Sequence, residues 1–158
     1  LRTTPAEVVQ RIEEVVGSVR VLEKEVDRLK SKLVSAQGED MAARATPVNG
    51  TQVLATVVDG ADQKALRESV DRLKLSLQSA VIVLASVLDD KVCMVAGVTG
   101  DMTRKIKAGD LVSFVAQQIG GKGGGRADLA QAGGGDPSRL KAALASVNTW
   151  VAERTQAR

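Results

Sequence analysis

The sequence predicts a long coiled-coil-type helix followed by a small α/β (or α+β) domain of order β-α-β-β-α-β-α. Three observations carry this. Between residues 8 and 33 apolar side chains recur at steps of four and three, the period of a helical seam. Past residue 50 the apolar pattern alternates between the two-residue period of strands and the 3.6-residue period of helices. With 158 residues and 44% apolar content, the chain can bury one ordinary core beside an added element.

Residues 1–40 read as the helix, residues 41–50 as a linker and residues 51–158 as the globular domain. Thr4-Pro5-Ala6-Glu7 is a capping box, with Thr4 as N-cap, Pro5 in the first helical position and Glu7 three residues on. The seam places Ile12, Val19, Val26 and Leu33 at a and Val8, Val15, Leu22 and Leu29 at d. β-branched a residues with leucine at d favour parallel two-stranded packing, and Glu25 at g can meet Lys30 at e of a partner. A single helix cannot cover this stripe, so it pairs with a second copy or with another helix of a longer protein. Gly38 is expected to end the helix, roughly 50 Å long at 1.5 Å per residue. Pro47 and Asn49-Gly50 mark the linker.

Thr51 to Val58 alternates and is β-rich, a strand. Asp62 caps a helix that carries Leu66, Val70, Leu73 and Leu77 on one face. Ser79 to Leu88 is a buried strand, turned by Asp89-Asp90 into a second strand, Lys91 to Val98. Gly109-Asp110 opens a helix with Leu111, Val112, Val115 and Ile119 inward. Arg126 to Ala132 is a short strand. Asp136-Pro137 caps a last helix with Leu140, Leu144, Val147 and Val151 on its face.

Between the last two of these helices lies Gly120-Gly121-Lys122-Gly123-Gly124-Gly125-Arg126. Glycine lets another molecule approach the backbone closely, and Lys122 and Arg126 put positive charge there. The chemistry points to an anionic, backbone-rich ligand such as a phosphate or a nucleic acid. A flexible linker or a tight helix-to-strand turn is the structural alternative. Lys122 is followed by Gly123, so the hydroxyl of a Walker A loop is missing; Arg126 occupies the last glycine position of a dinucleotide fingerprint. Both of those motifs follow a strand and open a helix, whereas this run follows a helix and leads into a strand.

Charge points to the same third of the chain. Residues 1–40 and 41–103 are near balance, while residues 104–158 carry nine basic and four acidic side chains, a surplus of five. Arg104, Lys105 and Lys107 add a second basic strip. Phe114 and Trp150 are the only aromatic residues, too few to stack the bases of a single strand, so a nucleic acid would be read by backbone and shape. There is no histidine, which excludes Ser-His-Asp and Cys-His catalysis and the usual catalytic zinc sites. Cys93, the sole cysteine, sits in an apolar strand-like run and is expected to be a buried thiol. No signal peptide and no bilayer-length apolar run is present, and a soluble, cytoplasmic protein is expected. Leu1 in place of methionine suggests a piece of a longer protein.

Ala108-Gly109, the glycine run and Asp128-Leu129-Ala130-Gln131-Ala132-Gly133-Gly134 together resemble the C-terminal (C-Ala) region of bacterial-like alanyl-tRNA synthetases, which often have proline where Ala127 stands. The domain is also similar to the DHH-associated domain of DHH phosphoesterases, where a GGGH or GGGR motif contacts substrate phosphates. The resemblance implies a non-catalytic module of alanine-tRNA ligase that docks on the elbow of tRNA(Ala), contributes to a homodimer and supports aminoacylation and editing of mischarged tRNA. It carries Lys122 and Arg126 over as tRNA contacts. Backbone N–H groups of Gly123, Gly124 and Gly125 are expected to join them, and Arg104, Lys105 and Lys107 follow from charge alone. The dimer is expected through Ile12, Val15, Val19, Leu22, Val26, Leu29 and Leu33. No catalytic residue, metal or cofactor is expected here; ATP, Mg²⁺ and Zn²⁺ belong to the upstream domains of such an enzyme. A phosphoesterase would need the Asp-His-His metal motif, which is absent.

Overall fold

A computed structural model describes residues 4–156, with side chains other than those of residues 31, 34, 35 and 37–39. A boundary between residues 37 and 38 divides the chain into two compact units. The first unit is helical and belongs to α1 (Pro5–Ala43). Its capping box forms as expected: the Thr4 N–H donates to Glu7 Oε2 at 3.0 Å and the Glu7 N–H to Thr4 Oγ1 at 3.3 Å. Within the chain Glu25 pairs with Arg28 of its own helix, Arg28 Nη2 lying 2.5 Å from Oε1. That contact holds the Glu25 carboxyl below the usual carboxylate range.

Gly38 does not end the helix. The helical turns run on to Ala43, where the Arg44 and Ala45 N–H groups close onto the Met41 and Ala42 carbonyls. The gain that offsets the glycine is burial: Met41 is only 6% exposed and joins the buried cluster that holds Leu54, Leu66 and Ile82. Residues 41–50 are therefore not a linker. They contain the last turn of α1, the strand β1 (Thr46–Val48) and a tight turn at Asn49 (φ 49°) and Gly50 (φ 82°).

The second unit continues with β2 (Thr51–Val57), α2 (Gln63–Ser76), β3 (Ala80–Leu88), β4 (Lys91–Val98), α3 (Ala108–Ile119), β5 (Lys122–Gly125) and β6 (Leu129–Gly133). A 3-10 turn at Pro137–Arg139 leads into α4 (Leu140–Ala145) and α5 (Val147–Thr155). The six strands form one mixed sheet of order β1-β2-β3-β4-β6-β5. Only β2 and β3 are parallel, the pair that α2 crosses over. Asp62 caps α2 through the Ala65 N–H at 2.7 Å, as its position predicts. Asp89 (φ 48°) and Asp90 (φ 59°) make the hairpin between β3 and β4.

The central strand β3 is buried on both faces from Ala80 to Ser86. Leu66, Val70 and Leu73 of α2 cover one face over Leu54, Ile82, Leu84 and Val95. Helices α3, α4 and α5 cover the other over Val53, Val81, Val83 and Met94. Cys93 is half-buried rather than sealed in the core. The single last helix expected from the sequence is two, parted at Ser146, whose Oγ donates to the Ala143 carbonyl at 2.6 Å. Its four predicted face residues, Leu140, Leu144, Val147 and Val151, are all buried.

Asn49 ties the β1–β2 turn to α5, donating from Nδ2 to the Ala152 carbonyl at 3.2 Å and to Thr155 Oγ1 at 3.1 Å. Asn49→Ala loses both bonds and puts a less tolerant residue at positive φ. The expected cost is about 1–2 kcal/mol, read as a shift in the urea midpoint at unchanged slope.

Candidate nucleic-acid interface

The glycine run is neither a linker nor a simple turn. Gly120 (φ 77°) is the left-handed residue that stops α3, its N–H returning to the Ala116 and Gln117 carbonyls. Lys122 to Gly125 then form β5, the edge strand of the sheet, paired antiparallel with β6. Glycine has low strand propensity, and for that reason the pattern concealed this element.

The glycines have different reasons to be there. A Cβ on Gly121 would lie 2.9 Å from the carbonyl oxygens of Gly133 and Gly134. One on Gly123 would overlap the Ala132 Cβ, and one on Gly125 would lie 2.5 Å from the Ala130 Cα. These three are required by close backbone approach. Gly124 is not: a Cβ there meets nothing within 4 Å. The space it leaves is open.

That space is a cavity of about 240 Å³ lined by Gly124, Arg126, Gln131, Leu129, Val95 and Arg67. The two-residue period of a strand puts Lys122, Gly124 and Arg126 on this same face, the side covered by α2. Arg67 reaches it from α2, and nothing in its sequence context separates it from any other surface cation. The site therefore gathers cations from two elements against a strand with no side chain at its centre.

The backbone donors divide differently from the sequence expectation. The Arg126 N–H bonds the Leu129 carbonyl at 2.9 Å, closing the β5–β6 turn. Alternation then makes Gly124–Gln131 a bonded pair and turns the N–H groups of Gly123 and Gly125 toward the outer edge. Gly124 thus contributes room rather than a donor. From the opposite face α3 braces the strand, with Ser113 Oγ donating to the Gly123 carbonyl at 3.1 Å.

The start of α3 is not a phosphate site. Its Ala108 and Gly109 N–H groups donate to the Ala127 and Arg126 carbonyls at 2.8 and 3.2 Å, locking the helix onto the β5–β6 turn. This brings Lys107, the residue before Ala108, to the turn. Arg104 and Lys105 are exposed in the segment after β4, and no bond joins them to the glycine strand. Asp101 shares that segment; hydrogen bonds from Ser79 and then Thr99 hold its carboxyl below the usual range, which keeps a negative charge beside these cations.

Arg126 Nε lies 3.3 Å from Asp128 Oδ1, with both side chains largely exposed. An exposed pair of this kind is worth about 0–1 kcal/mol, so an incoming phosphate can displace it. Trp150 is buried, with Phe114 stacked on it at 5.6 Å and Arg154 over its ring at 3.7 Å. Neither ring is an open stacking platform. Among the described residues no cluster of three or more His, Cys, Asp or Glu could hold a metal, and no helix is long and apolar enough to cross a membrane.

A small mixed sheet with a glycine edge strand and flanking cations defines a class, and residues 50–153 match the DHHA1 domain model. The chain belongs to the DHHA1 domain family. Among curated relatives it is 58% identical over 152 residues to the alanine–tRNA ligase of Cupriavidus necator, covering 96% of this chain and 17% of that one. It is also 58% identical over 154 residues to the alanine–tRNA ligase of Burkholderia thailandensis, covering 98% and 18%. The chain thus spans less than a fifth of the length of these relatives. The crystal structure of the C-Ala domain from Aquifex aeolicus alanyl-tRNA synthetase superposes with a TM-score of 0.65 at 29% identity, over 68% of this chain and 97% of that one. The chain corresponds to this C-Ala region of alanyl-tRNA synthetases.

Proposed function

We propose that this chain is a non-catalytic tRNA-docking module of an alanine–tRNA ligase, seating β5 against the phosphate–sugar surface at the elbow of folded tRNA(Ala). In the parent enzyme it supports aminoacylation and editing of mischarged tRNA. The observation that carries the reading is the empty space over Gly124, flanked by Arg126 and Arg67. No contact within the chain requires glycine there, and the cations supply what a phosphate needs. The buried Trp150 accords with recognition of a folded, stacked surface rather than splayed bases.

Titration with folded tRNA(Ala) and with a single strand of equal length, at two salt concentrations, tests this. Tighter binding to the folded RNA is expected, with a log–log salt slope of about −2 to −4 from two to four phosphate contacts. Equal affinity for both RNAs, or a flat salt response, would remove the elbow-docking role.

Dimerisation through α1 is the second role, and a specific observation favours it. Every seam residue from Val8 to Leu33 is solvent-exposed in the single chain; Leu22 is 63% exposed and Leu33 62%. A continuous apolar stripe of this length marks an interaction surface. The expected sedimentation result is a dimer that Leu22→Asp together with Leu29→Asp converts to monomer, since each buries an unpaired charge in the seam. A wild-type chain that stays monomeric at every concentration would refute it.

A further inference from the structure

The sheet has a second open edge, at the far end from β5. Strand β1 pairs with β2 only from Thr51 to Val53 and stops at Thr46. Beyond it, β2 continues to Val57 with β3 on one side only. The parallel register fixes which groups are left over. The Gln52 N–H bonds the Ser79 carbonyl and the Val58 N–H bonds the Ala85 carbonyl, so Gln52, Leu54, Thr56 and Val58 face β3. Ala55 and Val57 point their N–H and C=O groups outward with no strand beside them.

This edge forms the floor of a second cavity, about 450 Å³. Leu144 and Ala145 of α4 make an apolar wall; Arg44, Lys141 and Asn148 supply the polar rim, and no carboxylate lines it. Neither cation is in an ion pair among the described residues. Natural edges are commonly covered, twisted or blocked, whereas this one lines an open cavity between β2 and α4.

We propose that the open edge of β2 is a docking site for an extended, acidic peptide segment that adds to the sheet as a further strand. Ala55 and Val57 provide the main-chain bonds, Leu144 and Ala145 the apolar contact, and Arg44 and Lys141 select carboxylates. Alternating donors and acceptors match a peptide; a phosphodiester would face the Ala55 and Val57 carbonyl lone pairs as well as their N–H groups. A second copy of this chain is disfavoured by charge, because edge-to-edge pairing brings Arg44 and Lys141 toward their own counterparts. The site lies at the opposite end of the sheet from β5, so its occupant and RNA do not compete.

The probe is a short labelled peptide alternating glutamate with valine, set against a version with lysine in place of glutamate. Added to the whole chain, the glutamate peptide is expected to protect the Ala55 and Val57 amides from hydrogen exchange and to bind about tenfold more tightly than the lysine peptide. Val57→Pro removes one outward donor and should abolish binding. Arg44→Glu with Lys141→Glu, both on the surface, should reverse the preference and keeps the test decisive if the proline variant misfolds. Three results overturn the proposal: neither amide responds to the peptide; their protection rises with protein concentration alone, which assigns the edge to a second copy; or tRNA protects them and the peptide does not.

Discussion

Gly123→Ala is expected to cost about 1–3 kcal/mol of stability, and Gly124→Ala to change it by less than about 0.5 kcal/mol. The two residues are neighbours in one strand, and their difference is geometric. The new methyl at Gly123 overlaps the Ala132 Cβ and lies 2.9 Å from the Ala132 Cα, so backbone must move. At Gly124 it enters open space. Binding to folded tRNA should separate the same way, in reverse: Gly124→Ala folds normally and still weakens binding, because its methyl occupies the volume the ligand needs. Urea melts and tRNA titrations on both variants read the two effects. A Gly124→Ala protein with wild-type affinity would show that the cavity is not where RNA sits.

Lys122→Ala combined with Arg126→Ala should lower tRNA affinity by about tenfold or more and reduce the salt slope by about 1.5–2, while leaving stability nearly unchanged. Both side chains are exposed, and among the described residues the one ion pair disturbed is the surface contact between Arg126 and Asp128. Arg104→Ala with Lys105→Ala is the useful contrast. These residues have no bond to the glycine strand, so their removal should lower affinity less. Wild-type affinity in the Lys122/Arg126 variant would leave β5 as a purely structural edge.

Legibility in the sequence followed side-chain chemistry. Thr4 and Glu7, Asp62, and Asp89-Asp90 announce caps and turns through specific hydrogen bonds or positive φ, and each does what it announces. Strands β2, β3 and β4 carry dense β-branched runs. Elements held by main-chain contact or by tertiary burial left little trace. Strand β5 is mostly glycine, and β1 is three residues around a proline. The turns of α1 past Gly38 rest on where Met41 lands, which no local pattern records. Likewise Lys122 and Arg126 stand out beside glycines, but Arg67 becomes a neighbour only through the packing of α2 on the sheet.

The composition of β5 has a thermodynamic consequence. Three of its four residues have no side chain, so the strand adheres to β6 almost wholly through backbone bonds, and each glycine gives up roughly 0.5–1 kcal/mol more chain entropy on ordering than alanine would. This margin of the sheet should fray more readily than the buried strand β3. A ligand that grips β5 must therefore spend part of its binding free energy in holding the strand down. Binding should register as slowed amide exchange along β5, and its entropy should be more unfavourable than the contacts alone imply.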